Sequence, residues 1–191
     1  LSISGTTTIN TNTVTTSGAQ TYTGAVTLGA DTTLTTTDSL VWFKSTVGNS
    51  AAKALTISSG TGGATFANTV GATTALGAIS LTTTGTTTLS NTVAAASFNS
   101  GAGTTAINGG SITTSGAQTY NGAVTLGADT TLTGTTITTK GTISGAYGLT
   151  ITGNAVFGDG TSDTITLTGT SKALSISGTT TINTNTVTTS G

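Results

Sequence analysis

Residues 1–18, LSISGTTTINTNTVTTSG, return without a change as residues 174–191. A second pair of segments, Thr15–Thr35 and Thr113–Thr133, differs only at Thr23/Asn121. The offsets are 173 and 98 residues, so residues 1–173 read as one complete super-repeat made of sub-repeats of 98 and 75 residues. Residues 174–191 then open the next, identical repeat. Self-similarity on this scale marks arrays whose units cannot bury an apolar face alone and must stack on their neighbours. A chain that starts and stops inside its own repeat reads as a window cut from a longer array.

The residues available to such a unit favour strand. Threonine fills 57 positions of 191 and glycine 28, while Pro, Cys, Met, His, Arg and Glu are missing. Thr, Val and Ile are stiff at χ1 and suit a pleated surface, and Leu, Ile and Val recur too often for a disordered polar tract. Four Lys against five Asp give a net charge of −1. That lacks the clustered cations which displace counterions from nucleic acid, so no nucleic-acid partner is expected. No apolar run reaches the length of a membrane-spanning helix, and the opening residues do not form a signal peptide. Without cysteine there is no disulfide scaffold and no thiolate metal site.

Short apolar–polar–apolar openings at Leu1, Ala25, Leu55, Ala78, Ala123 and Leu149, with a degenerate one at Asn99, divide the super-repeat into seven units of 21–30 residues. Each unit reads as three short strands joined by turns, with Gly5, Gly29, Gly60, Gly85, Gly127 and Gly153 at corners. Period-two alternation points one face inward. The candidate interior includes Ile3, Ile9, Val14, Val26, Leu34, Ile57, Phe66, Leu89, Ile112, Leu132, Ile151, Val156 and Ile165. The expected architecture is all-β: a right-handed parallel β-helix, or β-solenoid, of about seven coils of ~25 residues per 173-residue repeat. Leu1, Leu55, Leu149 and Leu174, or the residues two places on, should share one interior column. Residues 174–191 should lie above residues 1–18 by a pure translation of about 34 Å. The competing reading is an array of small immunoglobulin-like sandwiches, which usually carry Pro-rich linkers and a buried Trp in each domain.

Ile112–Thr138, ITTSGAQTYNGAVTLGADTTLTGTTIT, resembles the repeat of giant bacterial β-strand-repeat surface proteins, grouped with filamentous-haemagglutinin-like adhesins. Gly71–Val93 and Gly103–Tyr120 resemble parts of the same pattern. The resemblance implies secretion to the bacterial cell surface and a fibre-like shaft, and it implies no particular ligand.

Catalytic chemistry finds little to use. Without His, Cys, Glu or Arg, a general base, a nucleophile or an anion clamp would fall to scattered Asp and Lys; no enzyme is expected and no cofactor. Asp31 and Asp129, both in LGADTTLT, read as a repeated turn. Asp159 and Asp163 in GDGTSD are the one candidate metal pair, for Ca²⁺, although their spacing fits no established calcium loop. LVWFKS, in the longest unit, offers Trp42, Phe43 and Lys44 as a candidate contact protrusion. Its alternative is a plain strand in which either Val41 and Phe43 or Leu40 and Trp42 pack inward. The sequence therefore points to a structural, fibre-forming segment of an extracellular filament, sheath or adhesin stalk. Its partners would be copies of itself, end to end or laterally, with surface glycans as a second partner class. The alternative is a glycan- or ice-binding module that uses Thr ladders or Trp42.

Overall fold

A computed structural model describes residues 1–169 and 173–191. These residues form 24 strands and no helix, and every strand pairing is parallel. The chain is a β-solenoid, and parallel pairing throughout excludes the sandwich array.

Three ladders run along it. The first is a sheet of ten strands, from Ser2–Ile3 through Gln20–Tyr22 and Val41–Phe43 to Thr186–Thr189. The second stacks Val26, Val47, Val70, Val93, Ile112, Leu132, Ile151 and Ile176 in successive coils. The third begins at Thr13–Thr16 and continues through Thr32–Thr36 and Leu55–Ser58 to Thr180–Ile182. Long strands such as Val93–Ser100 and Leu149–Phe157 run round the corner between the second and third faces. Most other strands are three or four residues long, with a short turn before the next face.

The coil is shorter than the sequence spacing suggested. Ten strands of the first face give nine steps between Ser2 and Thr188, about 21 residues per turn. The expected seven coils of ~25 residues are therefore replaced by about nine turns. Apolar–polar–apolar openings do not mark one position per turn, because they occur on every face. Leu149 and Leu174 do stack directly on the second face, but Leu1 belongs to the first face and Leu55 to the third, so the four, like the residues two places on, do not share one column.

What repeats in the sequence is the face. Gln20–Tyr22 lies on the first face, whereas its twin Gln118–Tyr120 lies on the third. The 98-residue offset spans 14 faces along the chain, seven residues each. Ser2–Ile3 lies on the first face and its copy Leu174–Ile176 on the second, so the 173-residue offset spans 25 faces. Twenty-five faces are eight turns and one face more. Residues 174–191 are thus turned by a third of a revolution relative to residues 1–18, and the pure translation is overturned. Eight and a third turns at a strand spacing of ~4.8 Å give a rise of about 40 Å.

Side chains fill the interior in columns. Tyr22, Phe43 and Phe66 stack on the first face with ring centroids 5.1 Å apart, an arrangement that contributes about 0.5–1.5 kcal/mol per pair beyond burial. Val26, Val47, Val70 and Val93 form an aliphatic column on the second face, all at most 2% exposed. Each such side chain contributes roughly 1.5–3 kcal/mol by burial. Most of the expected interior is buried; Val156 is not, and faces outward between buried Ala155 and Phe157. Period-two alternation runs unbroken through the bend at Gly153, from Leu149 and Ile151 to Ala155 and Phe157, and leaves Val156 on the outer side.

Gly63 shows how tightly the coils meet at a corner. Its φ is +75°, and a Cβ there would lie 2.2 Å from the Thr86 carbonyl oxygen of the next coil. Gly63→Ala should therefore lower stability by roughly 2–3 kcal/mol. Gly48→Ala, on an open outer position with nothing within 4 Å, should be neutral or stabilising by up to about 1 kcal/mol. Denaturant midpoints of the two variants check this.

Candidate functional site

The GAQTY segment places a glutamine inside the coil. Gln20 and Gln118 are both fully buried. Gln118 Nε2 donates to the Ile112 carbonyl at 3.0 Å and to the Thr133 carbonyl at 2.9 Å, one in its own coil and one in the next. Tyr120 OH then donates to Gln118 Oε1 at 2.8 Å. Gln20 repeats the pattern with Val14, Thr35 and Tyr22. The amide ties two coils at a corner, and each buried polar atom finds a partner, as burial demands. Sequence patterning placed no polar residue here. The signal that could have found it was the unchanged GAQTY in both sub-repeats.

The carboxylates also bridge coils. Asp31 Oδ1 accepts from the Ala54 amide and Asp129 Oδ1 from the Gly148 amide, each at 2.9 Å. The two Asp sit at matching turns, but on different corners of the solenoid. Asp38 Oδ1 accepts from the Thr61 amide at 2.9 Å in the same manner. The GDGTSD loop joins the third face to the first. There Asp163 Oδ2 accepts from the Asp159 amide at 3.2 Å, which closes the turn locally. Among the described residues no three acidic or other metal-ligating side chains come together.

Val41–Phe43 is an ordinary strand of the first face, so LVWFKS does not bulge. Val41 and Phe43 are fully buried. Phe43 is thus a core residue, and only Trp42 and Lys44 reach the surface. Trp42 is half-buried in the outer file between Thr21 and Thr65. Lys44 Nζ lies 4.2 Å from the centre of its ring, a cation–π contact that covers the indole.

The outer surfaces are hydroxyl-rich. On the third face Thr13, Thr33, Thr56 and Ser80 line up in consecutive coils, with Thr15, Thr35 and Ser58 beside them. The double file ends where Asn99 follows Ser80. No helix among the described residues is long and apolar enough to cross a membrane. No protein-family model matches the chain, and neither a curated protein nor a solved structure does.

Two outcomes are expected for the glutamine clamps. Gln118→Leu strands the Tyr120 hydroxyl and two carbonyls, at a cost of roughly 2–4 kcal/mol. Adding Tyr120→Phe should cost less than its own separate effect, measured by a double-mutant cycle. Burial also pushes the Tyr22 hydroxyl up from 10.0 to about 12 and raises that of Tyr120. The folded state holds these protons more tightly than the unfolded chain. Their contribution is complete below pH 10 and is lost as the pH rises from about 10 through about 12. Unfolding midpoints across this range should fall, and the Tyr22→Phe/Tyr120→Phe variant should fall less.

Proposed function

We propose that the chain is a structural segment of a bacterial extracellular filament, sheath or adhesin stalk, and that its role is to extend a shaft rather than to catalyse. The observation that carries this reading is the interchange of faces: one 18-residue sequence forms the same three strands from two different starting faces. A repeat that can begin on any face can be added in any number without a special junction. The resemblance of the GAQTYxGAVTLGADTTLT core to β-strand-repeat surface proteins supports a secreted, cell-surface setting. Scattered carboxylates used as coil bridges support a role without catalysis. Axial hydrogen bonds would carry load along the shaft, while the hydroxyl surface is solvated without dependence on charge.

A second reading is favoured by the double hydroxyl file on the third face. Hydroxyls about 4.8 Å apart between coils and about 6.7 Å apart along a strand form a flat lattice, a surface suited to ice or to an ordered glycan. Its short run, broken at Asn99, makes it the lesser one.

Chains carrying one, two and four copies of residues 1–173 test the shaft reading by small-angle scattering. The longest dimension should grow by about 40 Å per copy at constant cross-section. Compact particles, or copies joined as beads on flexible joints, would contradict it. Retention of the single-copy chain on ice or on immobilised glycan would favour the second reading.

A further inference from the structure

One corner of the solenoid is enlarged in two successive coils. Val26, Val47 and Val70 stack on the second face, and Leu34, Ile57 and Leu81 on the third. The chain takes eight steps from Val26 to Leu34, ten from Val47 to Ile57 and eleven from Val70 to Leu81. The added residues form two stacked loops, 50–54 and 71–75. Gly71 turns the second loop out of the face: its φ is +69°, and a Cβ there would lie 2.2 Å from the Ala94 carbonyl oxygen. Both loops are tied down. Asn49 Nδ2 donates to the Thr74 carbonyl at 2.8 Å, while Asn49 Oδ1 accepts from the Lys53 amide at 3.0 Å. The Gly77 amide donates to the Lys53 carbonyl at 2.8 Å, and the Ala54 amide to Asp31 Oδ1 at 2.9 Å.

Beside the second loop the face itself is bare. Gly48 follows Thr27 in the outer file, and a Cβ on it would meet nothing within 4 Å. Loop and gap together leave a cleft of about 350 Å³, at the small end of the roughly 300–1,000 Å³ usual for small-molecule sites. The hydroxyls of Thr27, Thr46, Thr69 and Thr73 line it, with no hydrogen-bond partner among the described residues. No charged side chain lines it. Residues 46–74 have no counterpart at the 98-residue offset, so each 173-residue repeat carries the cleft once.

We propose that this cleft binds one or two sugar residues of an uncharged glycan. The inference goes beyond the shaft reading, and the cleft is separate from the hydroxyl file of the third face. Its chemistry selects the ligand. A threonine hydroxyl both donates and accepts, as a sugar hydroxyl does, so four unpartnered ones suit a polyhydroxylated molecule. A charged ligand would lose water there without gaining a counter-ion, which is costly. Ala72 and the threonine methyl groups offer apolar contact to the sugar's C–H groups. The Asn49, Lys53 and Asp31 ties hold the walls in place before the ligand arrives, so little freedom is lost on binding. Successive repeats turn by one face, so a shaft would present the cleft to each side in turn.

Amide NMR spectra of the 191-residue chain, titrated separately with maltose, cellobiose and N,N′-diacetylchitobiose, test the site. At least one of these sugars should shift the Gly48, Thr69 and Thr73 resonances saturably, whereas glucuronic acid should shift none. Gly48→Leu, which fills the cleft from its floor, should abolish the shifts without lowering the denaturant midpoint. Thr69→Val keeps the shape, removes one hydroxyl and should weaken binding about fivefold. Saturable shifts from none of the sugars, equal shifts from glycerol, or undiminished binding to either variant would overturn the inference. Shifts confined to Thr33, Thr56 and Ser58 would also overturn it, and would assign the glycan to the third-face file instead. Neither result touches the shaft reading, which rod growth in the multi-copy chains decides.

Discussion

The parallel hydrogen-bond ladder between coils is the constraint on which everything else depends. Each strand must pair with the strand one turn below and one turn above, so each face must return at nearly the same length. Strands of three residues and turns of about four satisfy this with seven residues per face. The same ladder explains why the chain has no proline, since a strand paired on both sides cannot lose a donor. It also sets the side-chain columns, because parallel in-register pairing places inward residues directly over one another. Like then stacks on like: aromatic rings at Tyr22, Phe43 and Phe66, valines at Val26, Val47, Val70 and Val93.

Interchangeable faces follow from equal faces. The glutamine clamp at Gln20 works on the first face and again, with the same partners by position, at Gln118 on the third. A clamp that ties the carbonyl of its own coil to that of the next needs only a corner, and all corners resemble one another. The Asp bridges make the same point: Asp31 spans the corner between the second and third faces, which Gln118 also uses, and Asp129 the remaining one, between the first and second. The proposed shaft exploits this property: repeats that need not contain a whole number of turns still stack without a break, and turn by one face as they do.

The fold class was legible because repeats, β-branched residues and absent proline all point one way. The turn length was not. LSIS at Leu1 and LTIS at Leu55 look alike because all three faces use the same apolar–polar–apolar strand, so spacing between look-alikes counts faces rather than turns. Val156 was misplaced because its apolar side chain outweighed the period: alternation carried on from Leu149 and Ile151 points Ala155 and Phe157 inward and Val156 out. Phe43 looked like part of a protrusion because LVWFKS holds two aromatic residues in a row of threonines; the ladder simply points one in and one out. Buried Gln118 was hidden by its polarity, which patterning assigns to solvent unless a partner is foreseen. The surface assignments for Trp42 and Lys44 depend on side-chain geometry that no spacing encodes.

The central claim, that the sequence repeats by faces and not by turns, is tested most directly by the screw symmetry of an array of residues 1–173 joined in tandem, imaged at a resolution that separates the strands. The account predicts a rotation of about 120° about the long axis from each 173-residue repeat to the next, the remainder of 25 faces on a three-sided coil. Successive repeats related by translation alone, with each Gln20–Tyr22 segment returning to the same face, would contradict it.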